Sequence, residues 1–502
     1  MEPQQVTDKP RSGLVRTLRT IQRYVWDDPD KPAEEKRFLF KLDCFLLSYT
    51  CLGYFCKNLA QANINNAYVS GIKESLNMGG SELTYMDNVF TAGYVIGQIP
   101  AVILVTRVRP SLFIPTCELL WTVCTFCCSA VKTVEQLYAM RFLVGLFESA
   151  YFPCIVYLIG SWYTASERAK RTTIFYSTTS LATMFSGYLQ AGAYDGLNGH
   201  LGYAGWQWLF IICGIIGLPC ALMGFVCNPD FPETTRAFFL TPEEIRLARR
   251  RLEREGLAPL GASTWDRWKI LRIAQHWQTW VLPIGYFIVQ AATPNQQPTF
   301  ALWLKAEGRS VYKVNVLPTA QSAVAVVAQI AAGMLSDSPL FKGRRWQIIT
   351  AMQLWTFIGS VILLVWTIPL SARFFAYFVL WVAYGVPGVY FAWYPDLIRD
   401  DHEMRGFVIA VSNMFCYIMM IWYDDAVWRT AESPRFRPGF TAAITCSIVL
   451  VLWVLGIRYL QGREEAKRTL TASSSDEEDV TQVTVALGRE EVSKPEALAE
   501  KY

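Results

Sequence analysis

Two residues of opposite charge lie within one segment that is apolar for long enough to cross a bilayer. Segment 138–163, YAMRFLVGLFESAYFPCIVYLIGSWY, carries Arg141 and Glu148. Residues seven apart share one face of an α-helix, and Gly145 leaves space between them for a neighbouring helix or a ligand. Because a lone charge at the bilayer centre costs about 2.5–3.5 kcal/mol on insertion scales, the two residues indicate a polar path through a membrane. A charge pair that only connects two helices is the alternative.

Other apolar segments contain cationic or amide side chains that could bind a solute. Lys57 and Gln61 are one helical turn apart, although the wet end of a helix would carry the same residues. Prolines at 294 and 298 would interrupt a helix, and broken helices at membrane depth are tolerated where they line a cavity. The predicted substrate contacts are Lys57, Gln61, Gln190, Asn295, Gln296, Gln329 and Asn413.

A further charged group stands where an apolar segment ends. Asp337 closes the run GMLSD, and the run GRR follows it after a short loop and includes Arg344. An aspartate that faces an arginine across such a loop can hold two halves of a transporter together in one state and release them in another. Asp337 and Arg344 are therefore predicted to gate. A surface ion pair, which contributes well under about 1 kcal/mol, is the alternative.

The composition is that of a membrane protein. Of the 502 residues, 52% are hydrophobic and 18% are charged, whereas about 25% of the residues of a soluble chain are charged. Nearly all of the 13 cysteines fall in apolar segments, which predicts buried free thiols rather than a disulfide framework. The lipid bilayer is therefore the first predicted partner.

The motifs of several function classes are missing. The three histidines, His200, His276 and His402, lie in predicted loops, and no HExxH motif or zinc-ligand grouping accompanies them. There is no G-x-x-x-x-G-K-S/T loop for ATP and no G-x-S-x-G nucleophile motif. We therefore expect no metal, no cofactor, no enzymatic activity and no nucleic-acid partner, which leaves the movement of a solute driven by a gradient.

Apolar segments of about twenty residues predict twelve membrane spans in two sets of six. The first set is predicted at 42–62, 85–105, 111–131, 138–163, 172–193 and 206–227. The second set is predicted at 277–302, 314–335, 346–368, 374–394, 406–423 and 440–460. The predicted fold class is thus an all-α membrane protein with two pseudo-symmetric six-helix bundles, 42–227 and 277–460.

Hydrophilic segments flank and join these bundles: an arm (1–41), a central loop (228–276) and an acidic tail (461–502) that is predicted to be disordered. In the central loop, Thr241, Pro242 and Glu244 predict a capped helix start, and Gly256 ends its basic amphipathic run. This helix is predicted to lie on the membrane surface, with a solvated linker as the alternative. Lys and Arg are concentrated in the arm, the central loop and the even-numbered loops, so both termini are predicted to be cytoplasmic.

The residues resemble the major facilitator superfamily, and within it the fungal anion:cation symporter branch of allantoate, vitamin H and pantothenate permeases. The resemblance covers nearly everything between residues 41 and 460, through KLDCFLLSY, NAYVSGIKESLNM, RFLVGLFESAYFP, YLIGSWYTASERAKR and PDFPETT. RGFVIAVSNMFCYI and ESPRFRPGF are most similar to the pantothenate transporters. The resemblance implies that Arg141 and Gly145 belong to an arginine motif associated with proton coupling. It also implies that residues 333–337, ending in Asp337, belong with Arg344 and Arg345 to a loop motif of the superfamily.

One stretch departs from the permease pattern. Where such permeases read L-D-R-S/A-N, this chain reads L-A-Q-A-N, with Ala60 and Gln61 in place of the acid and the arginine. The resemblance implies that this arginine contacts the anion in the relatives. Its loss therefore argues against an anionic substrate for this chain. Lys57, one turn earlier, is a candidate replacement for the positive charge, and changed specificity is the other interpretation.

These observations predict a monomeric secondary transporter of the plasma membrane that moves a small organic acid, such as pantothenate, together with protons. Arg141 and Glu148 would carry proton coupling. One alternative is an exporter or importer of a fungal secondary metabolite that belongs to a biosynthetic pathway. Another is a transporter-like nutrient sensor, which would signal without flux.

Overall fold

The regular secondary structure in the part of the chain that the structure describes is helical. The computed structural model describes residues 28–492 except 68–71, 73–74, 77, 79–81, 256–266, 294–298, 310, 342–343, 400 and 430–431. No β-strand occurs among these residues. The first half contains α1 (Ala33–Leu42), α2 (Ser48–Ala67), α3 (Glu82–Arg107), α4 (Pro110–Cys127), α5 (Val134–Glu148), α6 (Tyr151–Trp162), α7 (Ala165–Leu197) and α8 (Gly205–Cys227).

The central segment and the second half continue in the same way. The central helices are α9 (Pro242–Arg254) and α10 (Arg267–Gln275). The second half contains α11 (Gln278–Ala291), α12 (Thr299–Ala306), α13 (Val311–Asp337), α14 (Arg345–Val365), α15 (Leu370–Val379), α16 (Gly385–Leu397), α17 (His402–Val427) and α18 (Arg437–Val492). A π-helical turn, Asp43–Leu47, joins α1 to α2, and a 3₁₀ turn, Leu380–Tyr384, joins α15 to α16.

Ten helical stretches of the described chain are long and apolar enough to cross a membrane. They coincide with ten of the twelve predicted spans and confirm a multi-pass membrane protein. The fifth predicted span lies in α7, a continuous helix of 33 residues that is rich in serine and threonine. The seventh is divided between α11 and α12, and residues 294–298, where its two prolines stand, lie outside the described residues.

Segment 138–163, which the sequence predicts as one helix, is divided in the structure. Helix α5 ends at Glu148, and α6 begins at Tyr151. Pro153 explains the break, because it has no N–H to donate to the carbonyl of Ser149 four residues earlier. The Ser149 hydroxyl instead donates to the carbonyl of Leu146 at 2.7 Å. Glu148 is therefore the last residue of a helix, next to an interruption of the backbone ladder.

Glycines bring α5 into close contact with α3. A Cβ atom on Gly145 would lie 2.2 Å from the carbonyl oxygen of Phe90, and one on Gly93 would lie 2.4 Å from that of Phe142. Such distances are possible only without side chains, which is the packing that small residues allow between membrane helices. This contact fixes α5, and with it Glu148, against the face of α3 that carries Phe90 and Tyr94.

Helices of the two halves pack directly against each other. Helix α7 packs along α13, and α3 packs along α17. Where α3, α6, α8, α13 and α16 end, the arm and the central segment join them in a dense set of ion pairs. We call this the basic end. The opposite end is where α12, α14 and α17 end.

The predicted cap of the central helix is present. The Thr241 hydroxyl accepts a bond from the Glu244 N–H at 3.3 Å, and the Glu244 carboxylate accepts one from the Thr241 N–H at 2.8 Å. Gly256, its predicted terminator, lies outside the described residues. Arg251 of this helix is buried against Glu35 and Glu167, so this part of its basic face contacts protein rather than a membrane surface.

Helix α18 runs from Arg437 to Val492 and includes part of the segment 461–502 that the sequence predicts to be disordered. Arg458 pairs with Glu465 at 3.2 Å, and Gln461 donates to the same carboxylate at 3.1 Å. These pairs, spaced by one or two helical turns, stabilise the helix at the start of that segment. Disorder of the tail stays a prediction.

Candidate functional site

A buried ion pair lies in the middle of the first half. The Lys57 ammonium of α2 is 3.8 Å from the Glu148 carboxylate, and the two side chains are 2% and 0% exposed. Gln61, one turn after Lys57, donates a hydrogen bond to the same Glu148 oxygen at 2.9 Å. The other Glu148 oxygen has no hydrogen-bond partner among the described residues. We call Lys57, Gln61 and Glu148 the central site.

Aromatic rings surround the ammonium of the central site. Lys57 lies 5.0 Å from the ring centre of Tyr94 and 5.7 Å from that of Tyr54. A desolvated cation gains about 2 kcal/mol from an aromatic face, which partly replaces the water that it has lost. Glu148 supplies the only carboxylate within 4 Å of this ammonium in the described chain. The buried positive charge of Lys57 is therefore stabilised by one carboxylate and by two aromatic rings. The rings would attract any cation.

Arg141 is oriented differently from the sequence prediction of an arginine paired with Glu148. Its guanidinium lies over the ring of Phe90, 4.7 Å from the centre, and its Nε atom has no hydrogen-bond partner among the described residues. The cation that pairs with Glu148 belongs instead to Lys57 on another helix. Spacing along one helix could not reveal this, because it contains no information about which neighbouring helix packs against the acid.

Two of the other predicted substrate contacts connect the halves. Asn413 of α17 donates a hydrogen bond to the Tyr94 hydroxyl of α3 at 3.3 Å. Gln329 of α13 accepts one from Ser180 of α7 at 3.4 Å, and its amide nitrogen has no partner among the described residues. Asn295 and Gln296 lie outside the described residues, and the structure does not describe the Gln190 side chain.

Asn413 connects the central site to the second half through Tyr94. The ring of Tyr94 lies between the Lys57 ammonium and α17, where Tyr417 also packs against it with ring centres 4.6 Å apart. Tyr94 is a candidate site residue that the sequence pattern does not single out, because an aromatic residue in a membrane helix is as common in packing as in a site. Its contacts with Lys57, Asn413 and Tyr417, rather than its residue type, mark Tyr94 as a candidate.

The predicted gate has a different arginine. Asp337 pairs with Arg345, which is buried, whereas Arg344 is exposed. Arg345 also reaches Asp396 of α16 at 3.2 Å, and the backbone N–H of Lys170 donates to Asp337 at 2.8 Å. Arg345 begins α14, so its side chain faces the bundle, while Arg344 precedes the helix. The two arginines are adjacent in the sequence, which does not indicate which of them pairs with Asp337.

The basic end contains further ion pairs, of which one joins the two halves and another lies within the first half. Arg168 of α7 pairs with Asp396 of α16 at 2.8 Å. Arg171 of the same helix binds both oxygens of Asp43 at 2.7 Å, a bidentate geometry that is among the strongest in proteins. Both arginines belong to the stretch YTASERAKR, and the sequence alone does not indicate which acids they contact.

Two glutamates of the basic end have pKa values displaced in opposite directions. Burial alone would raise the pKa of Glu167, but the charges of Arg251, Lys31 and Arg171 outweigh it and hold the pKa below 4.5. Burial raises the pKa of Glu255 above its ordinary value, although Arg168 opposes the change. Both Glu255 oxygens accept the backbone N–H of Ala165, at 2.9 and 2.8 Å, and so cap the start of α7.

Comparison with known proteins assigns the chain to a family. The family model described as Major Facilitator Superfamily matches residues 50–422. The chain is 35% identical to the pantothenate transporter liz1 of Schizosaccharomyces pombe over 89% of this chain and 86% of that one. It is also 35% identical to the MFS transporter PfmaC of Pestalotiopsis fici, over 88% and 84%.

A solved structure shows the same fold. The proton:xylose symporter XylE, bound to a bromodeoxyglucose, superimposes with a TM-score of 0.63. The match covers 84% of this chain and 95% of that chain at 13% sequence identity, which is evidence for the fold alone. The all-α architecture and the match over residues 50–422 agree with the resemblance noted in the sequence. The chain belongs to the major facilitator superfamily of membrane transporters and is related to fungal pantothenate transporters.

Proposed function

We propose that this transporter takes up a small organic acid of the pantothenate type together with protons, and that the central site binds the acid. The observation that carries the proposal is the Lys57–Glu148 pair, a desolvated ammonium whose single carboxylate partner has one free oxygen. A carboxylate on the substrate offers Lys57 the same chemistry as Glu148. The two acids therefore compete for one cation.

Competition for Lys57 couples the substrate to a proton. When Glu148 is ionised, it occupies Lys57 and the site repels an anion. When Glu148 binds a proton, its attraction to Lys57 falls, and the substrate carboxylate replaces it without an additional charge in the membrane. Proton and anion thus enter the site together, and release of one favours release of the other.

Gln61 supports the proposed role of Lys57. In related permeases the motif carries an arginine where this chain has Gln61, and here the glutamine donates to Glu148 while the cation comes from one turn earlier. A positive charge is thereby kept beside the acid despite the departure from the motif. Lys57 has a smaller headgroup than arginine and a single point of charge, which suits a monodentate contact to a carboxylate.

The ion pairs of the basic end serve as the gate of the proposed cycle. Arg345 and Arg168 connect α14 and α7 to Asp396, so this end is closed in the structure. Rocking of one half against the other would break these pairs and open the site to that side. We propose that this side is the cytoplasm, that both termini lie there, and that the protein acts as a monomer in the plasma membrane.

Uptake measurements in a permease-deficient yeast test the proposal. Radiolabelled pantothenate should accumulate faster at external pH 5 than at pH 7 in the wild type. Glu148→Gln should abolish the pH dependence, and Lys57→Gln should abolish uptake. Glu118→Gln is the matched control, since Glu118 is a buried carboxylate on α4 that accepts a bond from Tyr49 at 2.7 Å outside the site. Uptake that is insensitive to pH, or equal loss in Glu118→Gln, would refute the coupling role.

Transport of a secondary metabolite is the second candidate. Ala60 and Gln61 favour it, because they replace both charged residues of the motif that the vitamin permeases carry. The relation to PfmaC is as close in identity as that to liz1. Deletion of the gene distinguishes the two candidates. Loss of a pantothenate importer makes growth depend on added pantothenate, whereas loss of an exporter raises the intracellular level of a pathway product. Signalling that persists in a transport-dead Lys57→Gln strain would instead identify a nutrient sensor.

A further inference from the structure

Helix α10, at the basic end, has one face against the protein and the opposite face exposed. On the inner face Lys269 pairs with Glu403, the second residue of α17, and Ile273 is buried. On the outer face Trp268 is 61% exposed and Leu271 is 51% exposed. These two side chains are three residues apart and therefore share one side of the helix. Large apolar side chains exposed on one face of a helix mark an interaction surface.

The outer face of α10 continues into exposed apolar residues of the next helix. Helix α10 ends two residues before α11, which is the first part of the seventh predicted span. The Thr279 hydroxyl donates to the Ile273 carbonyl at 2.6 Å, and the Trp280 indole N–H donates to the Ala274 carbonyl at 2.7 Å. These bonds hold the last turn of α10 against the first turn of α11. Trp280 and Ile284 are themselves exposed, and tryptophan is enriched at the level where a membrane helix enters the bilayer.

The charge of α10 fits an anionic lipid surface. Arg272 lies on the outer face, one turn after Trp268, and is exposed. The helix reads RWKILRIAQ and contains no acidic residue. The basic end is the end that we propose to face the cytoplasm, and the cytoplasmic leaflet carries anionic phospholipids that attract basic amphipathic helices next to a span. Apolar side chains and an arginine on one face therefore match the two layers of such a leaflet.

The first half repeats this arrangement. Helix α1 precedes α2, across the π-helical turn, as α10 precedes α11. An ion pair between Glu35 and Arg251 at 3.0 Å ties α1 to the central helix α9. The outer face of α1 carries Arg37 and Phe40, three residues apart and both exposed. The helix that precedes the first span of each half thus exposes an arginine and a large apolar side chain at the same end of the bundle.

We propose that α10 and α1 lie on the surface of an anionic leaflet at the basic end. Arg272 and Arg37 bind the phosphates of anionic phospholipids, and Trp268, Leu271 and Phe40 enter the boundary between the headgroups and the acyl chains. The partner is therefore a lipid surface, recognised by charge and by apolar contact together. This inference goes beyond the proposed function, because it depends on no transported solute.

Lipid bound at α10 acts on the gate through the start of α17. Lys269 of α10 pairs with Glu403. The preceding residue, His402, contacts α6 of the first half through both ring nitrogens, one to the Tyr157 hydroxyl and the other to the Ser161 hydroxyl at 3.2 Å. The start of α17 therefore connects α10 to the first half. Anionic lipid that holds α10 in place stabilises these contacts and, with them, the closed basic end.

Thermal unfolding in nanodiscs tests the headgroup contact. Replacing part of the phosphatidylcholine with phosphatidylserine should raise the melting temperature of the wild type. The rise should fall by about half in Arg272→Gln and nearly vanish in Arg272→Gln combined with Arg37→Gln, because each removes one of two lipid-binding charges. Arg272→Lys keeps the charge and should keep most of the rise. Arg250→Gln is the matched control, since it removes an exposed arginine of α9 at the same end and should leave the rise unchanged. No rise in the wild type, or an equal loss in Arg250→Gln, would overturn the proposal.

Two further measurements distinguish a lipid surface from a soluble partner or a free anion. The emission of Trp268, taken as the difference between the wild type and Trp268→Phe, should be quenched more by phosphatidylcholine brominated in the upper acyl chain than by lipid brominated near the chain end. Absence of quenching would place this face in water, and stronger quenching by the deeper bromine would place it in the core; either result overturns the inference. Inorganic phosphate added to phosphatidylcholine nanodiscs should leave the melting temperature unchanged. A rise equal to that with phosphatidylserine would assign the arginines to a soluble anion instead.

Discussion

The central site and the basic end bury charge in contrasting ways. Lys57 in the central site has one carboxylate partner at 3.8 Å, and that partner keeps a free oxygen. Arg345 at the basic end contacts Asp337, Asp396 and the carbonyl of Ala165. A buried ion pair is costly unless further hydrogen bonds satisfy it. Gln61 supplies one such bond to Glu148, whereas all three nitrogens of Arg345 are bonded. A completely bonded arginine suits a contact that is either made or broken, whereas an incompletely bonded pair is suited to exchanging partners with a substrate.

The largest expected effect concerns the central pair itself. Lys57→Met should lower the free energy of unfolding by about 3–5 kcal/mol, because it leaves the buried Glu148 carboxylate without its ion-pair partner. Lys57→Met combined with Glu148→Gln should recover most of that stability without restoring uptake. Thermal unfolding in detergent, with Lys41→Met as a control, measures both. Lys41 pairs with Glu244 at 2.9 Å but is 30% exposed, so its loss should cost under about 1 kcal/mol. No recovery in the double variant would contradict a paired site.

The second prediction examines the basic end with two adjacent arginines. Arg345→Gln should destabilise by about 3 kcal/mol, since it leaves buried Asp337 without its cation, although Asp396 keeps Arg168. Arg344→Gln should stay within about 0.5 kcal/mol, because that side chain is exposed. The same unfolding assay compares them. Similar effects of the two substitutions would show that the gate has been assigned to the wrong arginine.

The third prediction concerns the packing that positions Glu148. Gly145→Ala should cost about 1–3 kcal/mol, because its Cβ would lie 2.2 Å from the backbone oxygen of Phe90 and would push α5 away from α3. Gly196→Ala is the control, since no atom lies within 4 Å of its added Cβ, and alanine in a helix is neutral or favourable. Pantothenate uptake should fall in the first variant and persist in the second.

The smallest expected effects are those of pH on stability through Glu167 and Glu255, the two glutamates of the basic end whose pKa values are displaced. Glu167, with a lowered pKa, contributes stability that is present above pH 4.5 and is lost as the pH falls through its folded pKa. Glu255, with a raised pKa, has the opposite sign: the wild type loses stability as the pH rises from 4.5 toward the folded value. Melting temperatures between pH 4 and 7 should therefore rise relative to wild type in Glu255→Gln as the pH increases. In Glu167→Gln they should fall relative to wild type as the pH rises toward 4.5, and the difference should stay constant above that pH.

Much of this fold could be predicted from the sequence because a bilayer simplifies the physics. Long apolar runs must become helices, since no water is present to bond the backbone, and this locates ten of the spans. Local signals gave the cap at Thr241 and Glu244 and the space that Gly145 leaves for a neighbouring helix, since both depend on a few neighbouring residues. Hydropathy did not reveal the break in the fourth predicted span, where Pro153 separates α5 from α6.

The sequence by itself determined that this chain crosses a membrane, that it carries ionised side chains inside its helices, and that Arg141, Glu148 and Lys57 are unusual there. Which of them contact one another was decided only by tertiary packing. Glu148 pairs with Lys57 rather than with Arg141, and Asp337 with Arg345 rather than Arg344. The physical reason is that hydropathy depends on each residue alone, whereas an ion pair depends on which face of a helix is turned toward a neighbour distant in the chain.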